Sequence, residues 1–142
     1  MAISNKSSCL VKYIINFYNI DLQHALNIAC SIGSHKIIKL LIDFGLQNSK
    51  SFNFNIPLEN ASDNGYISII ELLFIKSKKE NIFISQVSKN NALKFAAENG
   101  QLDVVKLLIE HKANNLENAY NMAQYNYYID IMKYIQSIYD KV

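Results

Sequence analysis

Arginine is absent from this 142-residue chain: all 14 basic side chains are lysine, set against 12 acids for a formal charge of +2. With so little net charge there is no long-range field that would make nucleic acid or a membrane surface the default partner. Cysteine occurs only at Cys9 and Cys30. The opening Met1–Ser8 is polar and has no apolar core, so it does not read as an export signal, and two free buried thiols are expected instead of a disulfide. The sequons Asn5-Lys6-Ser7 and Asn60-Ala61-Ser62 would matter only in a secreted protein. No apolar run reaches the roughly 18 residues of a membrane helix, and the four glycines form no phosphate-cradling loop. What is present is a globular mixture, 50% hydrophobic and 18% charged. The expectation is one soluble, intracellular domain over residues 1–142. Asn, Ile, Lys and Tyr are abundant in the manner of an AT-rich genome, which weakens arguments from any one Asn or Lys.

One phrase recurs five times: LVKYII (Leu10–Ile15), IIKLLI (Ile37–Ile42), IIELLF (Ile69–Phe74), VVKLLI (Val104–Ile109) and IMKYIQ (Ile131–Gln136). Two apolar residues, one charge and two more apolar residues make a broad buried stripe on a helix, with the charge in solvent. Within the fourth copy, Leu107 is expected buried and Lys106 solvated. A smaller helical unit precedes four of the copies: ALNIAC (Ala25–Cys30), PLENAS (Pro57–Ser62), ALKFAA (Ala92–Ala97) and AYNMAQ (Ala119–Gln124). Each starts twelve residues ahead of its partner phrase (25 to 37, 57 to 69, 92 to 104, 119 to 131). Small residues recur where two helices approach closely. Pro57 suits a first helical turn, where its missing N–H would be unpaired anyway. Gly33, Gly65 and Gly100 fall between the two units as helix stops. Helices this short are marginal alone, so units must stack and stability becomes a sum over neighbours.

These residues resemble the ankyrin repeat, whose period is near 33 and whose signature T-P-L-H-x-A is followed by glycine and a V-V-K-L-L helix. The best copy is Asn91–Gly100 followed by Leu102–Glu110; the copy before it keeps Pro57, Leu58, Ala61 and Gly65. The resemblance covers residues 9–139. It implies an all-α ankyrin-repeat solenoid of stacked helix-turn-helix units with short hairpin loops. The divisions are an N-terminal capping helix at 1–20, repeats at 21–50, 51–86 and 87–115, and a C-terminal capping repeat at 116–142. The signature threonine is replaced by His24, Ile56, Asn91 and Asn118, and its histidine by Asn27, Glu59, Lys94 and Asn121. The hydrogen-bond network of the family is therefore lost or remade with amides. The short spacing before the last unit makes Lys112–Glu117 a direct turn. The first phrase lacks an inner helix, which makes it a cap or the stump of a longer array. Across its length the chain also resembles the short ankyrin-repeat proteins of giant DNA viruses, of mimivirus type.

Chemistry has no foothold in this pattern. His24, His35 and His111 fall in different repeats, away from any metal-spaced set of ligands, and His24 is expected to cap a helix or pack in the core. Asp43 and Glu110 end outer helices, and no carboxylate pair shares a predicted pocket. No histidine is placed to activate either thiol. The cluster Lys76–Lys79 reads as a solvated loop and is a weak nucleic-acid footprint. No catalytic residue, metal or cofactor is expected. Six tyrosines crowd the end (Tyr120, Tyr125, Tyr127, Tyr128, Tyr134, Tyr139), either covering the last apolar stripe or offering an aromatic surface.

The resemblance implies a protein partner held along the concave face. Carried over by position, the contacts are Asn55 and Asn90 ahead of the signature, and Ser31, Ile32, Asp63, Asn64, Glu98 and Asn99 after its alanines. Phe52 and Phe54 alternate in a hairpin-like stretch, one expected inward and the other as an apolar anchor. The expected state is a monomer that binds neither nucleic acid nor membrane. The alternative is a structural segment that self-associates through its Tyr-rich end.

Overall fold

The computed structural model describes the backbone from Ala2 to Val142 and side chains from Cys9 onward. The polar start, with its sequon Asn5-Lys6-Ser7, lies outside the described side chains. Nine helices and no strand are present among the described residues, in two compact units, Met1–Phe52 and Asn53–Val142. The first unit holds α1 (Ala2–Tyr18), α2 (Leu22–Ile32) and α3 (His35–Gln47). The second holds three helix pairs: α4 (Asn55–Asp63) with α5 (Ile67–Glu80), α6 (Gln86–Glu98) with α7 (Leu102–Glu110), and α8 (Leu116–Tyr125) with α9 (Ile129–Tyr139).

Local chemistry starts and stops these helices. Asp21 Oδ1 accepts from the Gln23 and His24 amides at 2.9 and 3.1 Å, capping α2. Ser85 Oγ accepts from the Ser88 amide at 3.1 Å and caps α6. The inner helices end in Schellman turns: Gly65 N–H bonds the Ser62 carbonyl and Tyr66 N–H that of Ala61; Gly100 and Gln101 repeat this with Ala97 and Ala96. The turn needs a left-handed residue, and Gly65 and Gly100 supply it at φ 75° and 72°. A Cβ on Gly100 would also meet the Tyr128 ring at 2.4 Å, while one on Gly65 would press on the Gln101 amide at 3.1 Å.

In unit 2, α4, α6 and α8 lie side by side as an inner row. Ala61, Ser62, Ala92, Ala96, Ala97, Ala119 and Ala123 are all buried there, which is what close helix approach requires. The outer helices bury the first, second and fifth residues of the phrase: Ile69, Ile70 and Leu73 in α5, and Val104, Val105 and Leu108 in α7. Leu107 is only half-buried, so the stripe is turned one residue from the expected register. Lys106 is half-buried too, its ammonium 5.5 Å from the Tyr134 ring centroid.

Other expectations are corrected. Lys76–Lys79 is the last turn of α5 and not a loop, and Lys78 and Lys79 meet the negative end of its dipole. α6 starts at Gln86, so Asn90, directly ahead of the signature, already lies within the helix. The turn before α8 runs His111–Asn115, with Leu116 and Glu117 already helical. His24 is exposed, not a core residue. Cys9 is exposed as well; only Cys30 is buried, its thiol pushed up to about 12 by desolvation.

Candidate functional site

The C-terminal ends of two inner helices in unit 2 carry four of the ten residues expected to meet a partner. Asp63 and Asn64 close α4, and Glu98 and Asn99 close α6; all four are exposed. Amides fix the geometry of Asp63, Asn64 and Asn99. Asn99 Nδ2 donates to the Asp63 carboxylate at 2.9 Å, the Asp63 carbonyl at 3.1 Å and the Phe95 carbonyl at 3.0 Å. Gln101 Nε2 adds a bond to the Asp63 carbonyl at 3.0 Å. Asn64 Nδ2 caps its own helix on the Asn60 carbonyl at 2.9 Å. The result is a row of carboxylates and amide oxygens on a scaffold whose donors are already used.

Asn55 and Asn90 stand at one register and do the same internal work. Asn55 Oδ1 accepts from the Ser85 amide at 2.9 Å, and the Asn55 carbonyl accepts from Ser88 Oγ at 2.8 Å. Asn90 Oδ1 accepts from the amides of Asn114 and Asn115 at 2.9 and 3.2 Å, and Nδ2 donates to Asn114 Oδ1 at 3.1 Å. Each holds the start of the following repeat. Asn91 Nδ2, at the signature threonine position, donates to Glu59 Oε1 at 3.3 Å, the signature histidine position one repeat earlier. An amide therefore remakes this one link of the network.

Phe52 and Phe54 are 9% and 0% exposed. Neither serves as an apolar anchor, and no strand forms around them among the described residues. Phe52 instead lies over Gly45, where a Cβ would meet its ring at 2.4 Å. In unit 1, Ser31 and Ile32 are both exposed, and Ser31 Oγ donates to the Ile28 carbonyl at 2.8 Å.

Two features escaped the sequence reading. Tyr127 takes the left-handed Schellman position (φ 62°) that glycine fills in the other repeats, and its ring is 86% exposed. The eight-residue step from Ala119 to Tyr127 matches that from Ala92 to Gly100, and would have revealed it. His111 stacks flat on Phe74, ring centroids 3.8 Å apart. Burial pushes its proton affinity below the ordinary value, with nearby Lys89 in the same direction and Glu110 and Glu71 opposing. Among the described residues no group of three or more His, Cys, Asp or Glu is placed to hold a metal. None of the described helices is long and apolar enough to cross a membrane.

Helix pairs joined by left-handed turns, with the inner members packed side by side in a row, define a helical repeat protein. A family model of ankyrin repeats in three copies matches residues 1–86 and 58–141. The chain belongs to the ankyrin-repeat family. It is also 31% identical over 91 residues to the "Ankyrin repeat and KH domain-containing protein mask" of Drosophila melanogaster, a match covering 63% of this chain and 2% of that protein. Ankyrin repeats are generally protein–protein interaction modules and are typically non-catalytic.

Proposed function

We propose that this chain is a non-catalytic module that binds a protein partner along the inner-helix face. The observation that carries this reading is the exposed row of Asp63, Asn64, Glu98 and Asn99, in which Asp63 and Asn99 are locked to each other and Asn64 to its own helix. Side chains fixed before binding lose little entropy on binding, which favours affinity. With their donors engaged, they present acceptors, so the matching surface carries lysine, arginine or backbone N–H groups. Asn55 and Asn90 contribute by holding the scaffold in register. The module works as one array over 1–142, inside a cell, as a monomer without nucleic acid or membrane. Its composition suits the short ankyrin proteins of giant DNA viruses, for which the compartment is the host cell.

A second reading rests on Tyr125, Tyr127 and Tyr139, all exposed at the end of unit 2. Tyrosine is enriched at binding hot spots, and this surface would serve self-association. The deciding experiment compares wild type with Asp63→Ala/Glu98→Lys, both shown folded by thermal melts. A partner protein retained by wild type and lost by the variant supports inner-face recognition. Identical partners for both, or a mass that rises with concentration and no partner, sinks it in favour of the tyrosine-rich end.

A further inference from the structure

Three inner helices end on the same pair of positions, an asparagine cap followed by the left-handed residue of the turn. The pairs are Asn64-Gly65 after α4, Asn99-Gly100 after α6 and Asn126-Tyr127 after α8; α2 has Ile32-Gly33 at this register and no amide. The first two are the only Asn-Gly steps in the chain. Their backbone angles are nearly equal: the three asparagines lie at φ −92°, −96° and −97°, with ψ −4°, 6° and 6°. The N–H that follows each asparagine donates to the carbonyl three residues before it, at 3.3, 3.4 and 3.2 Å, the long end of an ordinary N–H···O bond or beyond it.

Asparagine followed by glycine holds an electrophile and a nucleophile side by side. Glycine has no side chain to shield its nitrogen, which is free to attack the asparagine side-chain carbonyl carbon. At Asn64 a bond forms from Gly65 N to Cγ and the Cγ–Nδ2 bond breaks. Nδ2 leaves as ammonia, taking the proton that the glycine amide gives up. Water then opens the resulting succinimide at either carbonyl, which restores the glycine N–H and leaves aspartate or iso-aspartate. No electron is gained or lost. At the observed ψ values the nitrogen is turned away from Cγ, so the turn has to open first, and the contacts that keep it closed set the rate.

Those contacts differ between the three sites. Asn64 is exposed, and its Nδ2 makes one bond, to the Asn60 carbonyl at 2.9 Å. Asn99 Nδ2 makes the matching bond to the Phe95 carbonyl at 3.0 Å and two more across to Asp63, at 2.9 and 3.1 Å. Asn126 Nδ2 caps α8 on the Met122 carbonyl at 2.9 Å, but the next nitrogen belongs to a tyrosine, whose side chain hinders the attack.

We infer that Asn64-Gly65 is a self-modifying site, at which the folded chain converts Asn64 to aspartate or iso-aspartate with water as the sole co-reactant, while Asn99 is held back by its bonds to the neighbouring repeat. The product sets a second carboxylate beside Asp63 and removes the amide donor from the C-terminal end of α4, where the helix dipole disfavours negative charge. Iso-aspartate also adds a methylene to the backbone inside the turn that Tyr66 N–H closes on the Ala61 carbonyl. The site goes beyond the recognition reading, because the reaction requires no partner.

The test incubates the full wild-type chain at mildly alkaline pH, folded and in urea, and follows Asn64, Asn99 and Asn126 by peptide mapping with mass spectrometry. Electron-transfer fragmentation separates aspartate from iso-aspartate. In the folded chain Asn64 is expected to convert about tenfold faster than Asn99, the difference that two further hydrogen bonds make. Asn126 should be the slowest. In urea Asn64 and Asn99 should converge, both being followed by glycine, and Asn126 should stay slow. Asp63→Ala, its folding verified by a thermal melt, should quicken Asn99 by removing its carboxylate acceptor. Equal folded rates at Asn64 and Asn99, or an Asn64 that stays intact while the unfolded chain is converted, overturns the inference. An Asn99 rate that ignores Asp63→Ala overturns the part given to the neighbouring repeat. No partner enters the measurement, so its failure is distinct from failure of the recognition reading.

Discussion

Ile37 in unit 1 and Val104 in unit 2 open the same helical phrase, and their surroundings differ completely. Val104 is sealed beneath neighbouring helices, while Ile37 lies open beside Ile28 and Ile32. α1 shows the same contrast within a single phrase: Leu10, Tyr13 and Ile14 are exposed, and Ile15 is its only buried residue among those described. In α7 the matching stripe closes over Val104, Val105 and Leu108. Repeat architectures make this inevitable, since each unit contacts only its neighbours and a stripe is buried only where one is supplied. The polar residues divide likewise. Unit 2 is stitched by Asn55, Asn90, Asn91 and Asn99, whereas α2 has Ile32 where an amide would stand.

The contrast can be broken most forcefully at the fifth residue of the phrase. Leu108→Ala should destabilise unit 2 by about 2–5 kcal/mol in chemical denaturation, since it empties a fully buried site. Ile14→Ala, at the same register of α1, should cost under about 1 kcal/mol because water already reaches it. Equal losses would mean that the α1 stripe is covered. Next in size is Asn90→Ala, expected to cost about 1–2 kcal/mol by removing the two bonds to the Asn114 and Asn115 amides, which are exposed and pass to water. Asn90→Asp keeps the acceptor and should recover part of that loss.

A smaller effect of opposite sign is expected at Tyr127. A bulky residue held left-handed costs roughly 1–2 kcal/mol, so Tyr127→Gly should raise the unfolding free energy of unit 2 by about 1 kcal/mol. No gain would show that the ring makes contacts worth the strain. The mildest effect is with pH. His111 is held neutral by burial against Phe74, so its folded proton affinity lies below its unfolded one. Its contribution is therefore complete above the ordinary histidine value of about 6.5 and declines as pH falls through and below it. Denaturation midpoints measured between about pH 7.5 and 5 should fall on the acid side, and His111→Phe should flatten that slope. An unchanged slope would assign the acid sensitivity to other groups.

Much of the fold was legible because helical periodicity is a local property. The twelve-residue step between inner and outer phrases located four helix pairs, and the glycines located three of the turns. The rotation of the outer stripe was not legible: IIKLLI and VVKLLI offer two adjacent leucines, and only packing chooses the second. The candidate site was half legible. Register placed Asp63 and Glu98 at helix ends, but a coding bias toward Asn hid the structural amides among ordinary ones. Phe52 and Phe54 could not be sorted from their alternation, because alternation predicts one buried ring and the chain buries both without forming a strand among the described residues.

The sequence by itself determined the repeat, its helical unit, the left-handed turns and the family, because each depends on residues within one period of one another. The tertiary structure alone decided which copies of the stripe are covered, which asparagines are already engaged and where an apolar wall is left open. Those outcomes depend on the neighbour a repeat meets, and identical phrases acquire different roles when their neighbours differ.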